Sequence, residues 1–153
     1  MTRKRKILTV ILSVLIVATV GFIWSNSMRT TVQSAEQSGE TYSRLKAILD
    51  FLFGEDVVSH DAFRKFAHCA EFFFLGTEIN LLIVTVKAYS LKRIWIPLLS
   101  GLFVAVTDEC IQIFSNRGAS VVDVLIDFCG IVVSTAMVLF ILFLISKAKS
   151  KGR

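Results

Sequence analysis

The sequence predicts an all-α integral membrane protein with four transmembrane helices in a compact bundle. Of its 153 residues, 54% are hydrophobic and 13 are phenylalanine, a composition too apolar for a soluble domain of this size. The apolar residues fall into four continuous runs, each near the roughly 20 residues that a helix needs to cross a bilayer. Because the runs are continuous rather than alternating, they favour helices over the strands of a barrel.

The four predicted spans cover residues 7–24, 63–86, 94–114 and 121–145. The first follows a basic stretch, as a signal peptide would, but it is longer than a typical signal core and no small-x-small cleavage site follows it directly. We therefore expect it to remain as an anchor, with Trp24 at the membrane surface. The whole chain, 1–153, is predicted to be a single domain.

The basic residues predict the orientation of these spans. Lysines and arginines precede the first span, separate the second from the third, and fill the C-terminal tail, whereas segment 25–62 contains six acids and only three basic residues. Under the positive-inside rule both termini are cytoplasmic and segment 25–62 is external, in a multi-pass protein of the cytoplasmic membrane. The net charge of +5 comes from clusters without interleaved aromatic residues, so nucleic-acid binding is not expected.

Part of the external segment has helical periodicity. Between residues 41 and 53, Leu45, Ile48, Leu49 and Leu52 recur at the spacing of one helical face. Thr41 is a suitable N-cap, and Gly54 could end the helix. This predicts a short amphipathic helix that lies on the outer leaflet or covers the bundle. A loosely ordered loop is the alternative.

Polar side chains are concentrated in one layer of three spans. A charge in the core of a span costs roughly 2.5–3.5 kcal/mol, so each is a functional hypothesis. Helical spacing places His68 on one stripe with Glu71, and Asp123 on another with Asp127. At about 1.5 Å per residue these groups lie roughly 5–14 Å below the outer boundary. Five acids share this layer with three cations and one histidine, so at least one carboxyl must be protonated, metal-bound or facing water. An ion-paired packing network is the alternative.

An ordered set of motifs resembles the VanZ-like family of bacterial membrane proteins. In chain order the motifs are Trp24-Ser25-Asn26-Ser27, Lys65-x-x-His68-x-x-Glu71, Asp108-Glu109-x-x-Gln112, Arg117-x-x-Ser120-x-x-Asp123 and Asp127-x-x-Gly130. Two positions depart from the family pattern, with Asp127 where asparagine is more frequent and Phe72 where tyrosine is usual. The resemblance implies a cell-envelope protein connected with resistance to the glycopeptide teicoplanin. It implies no particular reaction.

The first functional hypothesis is an outward-facing pocket that binds, and in an enzymatic version processes, an envelope lipid or its head group. The candidate catalytic residues are His68, Glu71, Glu109 and Asp123. The candidate ligand-binding residues are Lys65, Asp108, Gln112, Arg117, Ser120 and Asp127. His68 would be the general acid or base, with Glu71 as its partner. Arg117 and the start of the fourth span would hold a phosphate.

Two other hypotheses remain open. A proton- or ion-coupled transporter could use an acid–histidine relay that continues inward to Glu78. Alternatively, one histidine with several acids could hold Mg²⁺, Mn²⁺ or iron, although the lack of a second histidine within a span argues against zinc. The sequence assigns no metal ligands and identifies no cofactor. The expected partners are membrane lipid and either an envelope lipid precursor or a glycopeptide, and an oligomer is compatible with the sequence.

The orientation can be tested with topology reporters. A reporter fused after Arg153 is expected to show a cytoplasmic position, and one inserted near Gln37 an external position, because the basic clusters belong to one side. Paired alkaline phosphatase and green fluorescent protein fusions measure this. An external C-terminus would contradict the predicted orientation.

Overall fold

The computed structural model describes residues 2–55, 57–86, 89–116 and 118–151. Within these ranges the chain forms the α-helices α1 (Arg3–Ser27), α2 (Thr31–Phe53), α3 (His60–Thr85), α4 (Trp95–Phe114) and α5 (Val121–Lys151). A single 3₁₀ turn, Leu91–Arg93, precedes α4. Four of these segments are long and apolar enough to cross a membrane, namely α1, α3, α5, and α4 together with this turn. The predicted all-helical, four-span architecture is therefore confirmed.

Polar contacts between the helices give their relative directions. Asn26 and Thr19 of α1 meet Glu71 and Glu78 of α3 in reverse order, so α1 and α3 are antiparallel. Helices α3 and α5 run in the same direction, since Gly130 meets Cys69 and Ser134 meets Gly76 further along both helices. The end of α4 joins the end of α1 through Asp108 and Ser27, so the ends of α1 and α4 and the beginnings of α3 and α5 meet at one end of the bundle. We call this the polar end.

The α3–α5 interface is the most extensive in the bundle. Small residues bring the two backbones close together: a Cβ added at Gly130 of α5 would collide with the carbonyl oxygen of Cys69, and one at Gly76 of α3 would collide with Ser134. Next to these contacts, Phe72 and Ile131 are fully buried in the apolar core. Helix α3 also contacts α1 and α4, whereas α4 packs more extensively against α5.

Helix α2 is much longer than the predicted helix over 41–53. It begins at Thr31 and has 23 residues. The predicted N-cap, Thr41, lies inside the helix, because a stronger start signal occurs upstream: Thr30 and Gln33 form a capping box in which each side chain bonds the other's backbone N–H. Gly54 ends the helix with a φ of 101°, as expected for a residue without a Cβ. The predicted length of the short amphipathic helix was thus wrong, because the helix begins ten residues earlier, and its predicted C-terminal boundary was right.

Helix α2 contacts the bundle mainly through a polar and aromatic face. The Tyr42 hydroxyl donates to the Val58 carbonyl at 2.7 Å, and His60 Nε2 lies 3.0 Å from Ser38 Oγ. The Tyr42 ring also packs on Phe63 at the start of α3. In contrast, Leu45, Ile48 and Leu52 of the predicted apolar face are 38%, 55% and 63% exposed. Helix α2 therefore leaves most of its apolar face uncovered.

The close approach of α3 and α5 generates a stability prediction. Gly130→Ala should destabilise the bundle by about 1–3 kcal/mol, because the obstructing atom is backbone and cannot rotate away. Gly21→Ala in α1 is the matched control, since a Cβ there meets no atom within 4 Å. Thermal unfolding of the two variants in the same detergent measures the difference. Equal melting temperatures would contradict the close α3–α5 contact.

Candidate functional site

A cavity of about 150 Å³ lies at the polar end of the bundle and is partly open to the surface. Helices α3, α4 and α5 supply most of its lining, and Thr31 of α2 and Gly118 of the α4–α5 loop complete the described part. From the three spans the lining residues are Arg64, Lys65, His68, Glu109, Gln112, Asp123, Ile126 and Asp127. We call this space the polar cavity.

Helix α4 contributes buried polar residues that are held by hydrogen bonds. Asp108 is fully buried, and its two carboxylate oxygens accept from the Ser27 hydroxyl at 2.6 Å and from Gln112 Nε2 at 2.9 Å. Gln112 Nε2 also lies 3.5 Å from Ser27 Oγ. These bonds join the end of α1 to α4 and fix the orientation of the Asp108 carboxylate.

Glu109 connects α4 to the start of α5. Its Oε2 accepts from the Ser120 backbone N–H at 2.8 Å, and its side chain is 4% exposed. The Ser120 hydroxyl in turn accepts from the Asp123 backbone N–H at 3.4 Å, as an N-cap residue does. The Ser120 N–H, one of the backbone donors at this helix start, therefore already donates to Glu109.

His68 and Asp127 face each other across the α3–α5 interface. The His68 Nδ1 and Asp127 Oδ1 atoms are 4.0 Å apart, which is beyond hydrogen-bonding distance. Asp127 is 1% exposed, and among the described residues none makes a hydrogen bond to its Oδ1. Glu71, the predicted partner of His68, accepts with its Oε1 from Asn26 Nδ2 of α1 at 3.5 Å.

The mouth of the polar cavity carries basic side chains. Lys65 Nζ pairs with Asp61 at 2.9 Å, and Arg64 pairs with the same carboxylate at 3.0 Å. Both pairs are well exposed, with side-chain exposures of 40% for Arg64, 43% for Lys65 and 57% for Asp61. Exposed pairs of this kind contribute little to stability, so these two cations can exchange Asp61 for another anion at low cost.

A second cavity of about 260 Å³ adjoins the first on the other side of His68. It lies between α1, α2 and α3, and its lining is more apolar, including Phe22, Ala67 and Phe63 besides Glu71. His68 lines both cavities. Glu78 lines neither; its Oε1 accepts from Thr19 of α1 at 3.0 Å.

The predicted site residues thus fall into three groups. His68, Glu109, Gln112 and Asp127 line the polar cavity with Lys65 and Asp123, and Asp108 is bonded to Gln112 next to it. Glu71 lines the neighbouring cavity, and Ser120 contributes through its backbone N–H to Glu109. Arg117 lies outside the described residues. Sequence reasoning did not assign Ser27 or Asn26 to the site, although both belong to a polar group that ends an apolar span.

Comparison with known proteins identifies one family. The model of the VanZ/LLP1 family matches residues 10–144, which is most of the chain. No curated protein matches the sequence, and no solved structure matches the fold.

The buried Ser27–Asp108 hydrogen bond generates a second stability prediction. Ser27→Ala removes a donor to a fully buried carboxylate and should cost about 1–3 kcal/mol. Ser25→Ala is the matched control, because in the described part of the chain the exposed Ser25 hydroxyl donates to the Phe22 carbonyl of its own helix rather than to another helix. Thermal unfolding in detergent compares the two. Indistinguishable stabilities would show that the bond does not hold α1 against α4.

Proposed function

Because the chain belongs to the VanZ/LLP1 family, we propose that this multi-pass membrane protein binds the phosphate-bearing head group of an envelope lipid in the polar cavity. In this proposal the polar end faces the outer leaflet, and head-group binding there contributes to resistance to the glycopeptide teicoplanin. The single observation that carries the proposal is a partly open polar cavity at one end of four apolar helices.

The two adjoining cavities suit an amphiphilic ligand. The polar cavity presents charged and amide groups, whereas the second cavity exposes more apolar than polar surface. A lipid can place its head group in the former and the beginning of an acyl chain in the latter. Arg64 and His68 line both spaces, so His68 would lie next to the linkage between the head group and the rest of the lipid.

The cations at the mouth supply attraction for a phosphate. Arg64 and Lys65 line the cavity and share a single exposed acid, Asp61. An arriving phosphate can replace that acid, since charge-assisted hydrogen bonds to phosphate are strong. Arg117 would add to this group, as expected from its position in the family motif.

If the bound lipid is also processed, His68 is the candidate acid or base. Its neighbour at 4.0 Å is Asp127, which could orient the imidazole after a small side-chain rotation. Glu71 would then contact the ligand from the second cavity rather than support His68. Glu109 and Asp123 are the remaining carboxyl groups that line the polar cavity beside the histidine.

The proposal predicts that residues of the cavity act as one unit. In a teicoplanin-sensitive host, His68→Ala and Glu109→Gln should each abolish the gain in minimum inhibitory concentration that the wild-type chain confers. The double variant should be little worse than either single one, because groups that act together lose function non-additively. Immunoblots of membrane fractions establish that each variant is inserted.

Glu78→Gln is the matched control for this experiment. Glu78 lies on the same helix and lines neither cavity, so its substitution should leave resistance unchanged. A loss as complete as that of His68→Ala would favour the transporter, whose relay needs the deeper carboxyl. Native mass spectrometry of the purified wild-type protein should detect a co-purifying phospholipid, and its absence would count against head-group binding.

A further inference from the structure

We propose that His68, Asp108 and Asp127 bind a divalent cation at the polar cavity, and that this cation is the partner of the head-group phosphate. The second half of this inference rests on the proposed function. The first half rests on geometry alone and can be tested without any lipid.

The three side chains meet from three helices. His68 is on α3, Asp108 on α4 and Asp127 on α5, and one ligand atom of each lies within 4.8 Å of the other two. Three ligand atoms that each lie about 2.0–2.2 Å from one metal ion are roughly 3–4 Å apart. The three side chains would therefore close in by up to about 1–2 Å, through changes in side-chain torsions, to complete the coordination.

The Asp127 carboxylate is the independent sign of a ligand. It is 1% exposed and lines the polar cavity, yet among the described residues its Oδ1 has no hydrogen-bond partner. The nearby His68 Nδ1, at 4.0 Å, is too far away to provide one. Buried charges are normally paired or bound to a metal. A cation between Asp127 and His68 would satisfy this oxygen and explain the gap between the two atoms.

Asp108 is held as a metal-binding carboxylate usually is. The Ser27 hydroxyl and Gln112 Nε2 each donate to one of its oxygens. A carboxylate has about four lone-pair positions, so it can accept hydrogen bonds and bind a metal at the same time. Hydrogen bonds from outside the coordination sphere orient ligands in this way and strengthen metal binding. The polar cavity provides an entry path and space for water ligands.

The donor set indicates the class of cation. One imidazole and two carboxylates, without sulfur, suit a divalent ion such as Mn²⁺ that accepts both nitrogen and oxygen ligands and keeps several waters. Such an ion would also connect carboxylates to a phosphate that they would otherwise repel. This connection matters because the Ser120 N–H at the start of α5 already donates to Glu109.

The test is Mn²⁺ binding to the full-length protein, purified in detergent and stripped of lipid. The electron paramagnetic resonance signal of free Mn²⁺ decreases as the ion binds, and the decrease should correspond to one bound ion per chain. Asp127→Asn, which preserves the shape of the side chain, should weaken binding at least about tenfold, as should His68→Gln. Ser27→Ala, which removes a hydrogen bond to Asp108 but no proposed ligand, should weaken it about tenfold by the same reasoning. Glu78→Gln is the control that keeps full affinity.

Two results would overturn the cation site. The first is no saturable Mn²⁺ binding by the wild-type protein at millimolar concentrations. The second is unchanged affinity in both Asp127→Asn and His68→Gln, with circular dichroism showing that these variants are folded. If one variant does not fold, the other decides the outcome.

A second experiment measures lipid binding with and without the cation, so that the cation site and head-group binding can fail separately. Native mass spectrometry with added phosphatidylglycerol is run with Mn²⁺ and with EDTA. The inference predicts at least about tenfold more bound lipid with Mn²⁺. Saturable Mn²⁺ binding without lipid retention would refute head-group binding and leave the cation site standing. Equal lipid retention in EDTA would refute the cation as the phosphate partner and leave head-group binding standing.

Discussion

The arrangement of this protein depends on one constraint, which is that ionisable groups within apolar helices must find their partners on other helices. Asp108 shows the constraint most clearly, because a fully buried carboxylate in a span has no water to bind. Ser27 of α1 and Gln112 of its own helix satisfy it. Glu109 reaches the backbone of the next helix start for the same reason. The polar residues thus fix which helix ends meet, and the apolar residues fill the remaining interface.

Close packing of α3 and α5 makes this polar layer possible. Gly130 and Gly76 bring the two backbones near enough for His68 to face Asp127. With a larger residue at either glycine the helices would separate, and the imidazole and carboxylate would move apart. Small residues in the middle of the interface therefore control the geometry of charged residues one or two turns away.

Much of this architecture could be predicted from the sequence, and the failures have physical causes. Continuous apolar runs determine the four spans, and helical periodicity places His68 and Asp127 on inward stripes of α3 and α5. Periodicity gives the face of one helix but not its rotation against another, so it could not show that Asp127 of α5 faces His68 of α3. The extent of α2 was missed because its first part, before Thr41, lacks apolar periodicity and begins with a capping box.

Two buried polar residues of this chain, Asn80 and Asp127, can be compared to ask which polar groups hold helices together and which bind a ligand. Near the opposite end of the bundle, Asn80 is fully buried and fully bonded: its amide nitrogen donates to Gly76 and Thr135, and its oxygen accepts from Tyr89. A polar group whose role is to hold helices together needs no more than these hydrogen bonds. At the polar end, Asp127 is equally buried, yet one of its oxygens lacks a hydrogen bond among the described residues and lies beside a cavity. A packing role would have favoured closing that gap, since burying an unsatisfied carboxylate is costly. An unbonded oxygen alone does not mark a binding site, since Glu78 Oε2 also lacks a hydrogen bond among the described residues and lines neither the polar cavity nor the second cavity. At Asp127 the unbonded oxygen and the open cavity occur together, and it is this combination that favours a ligand over helix association.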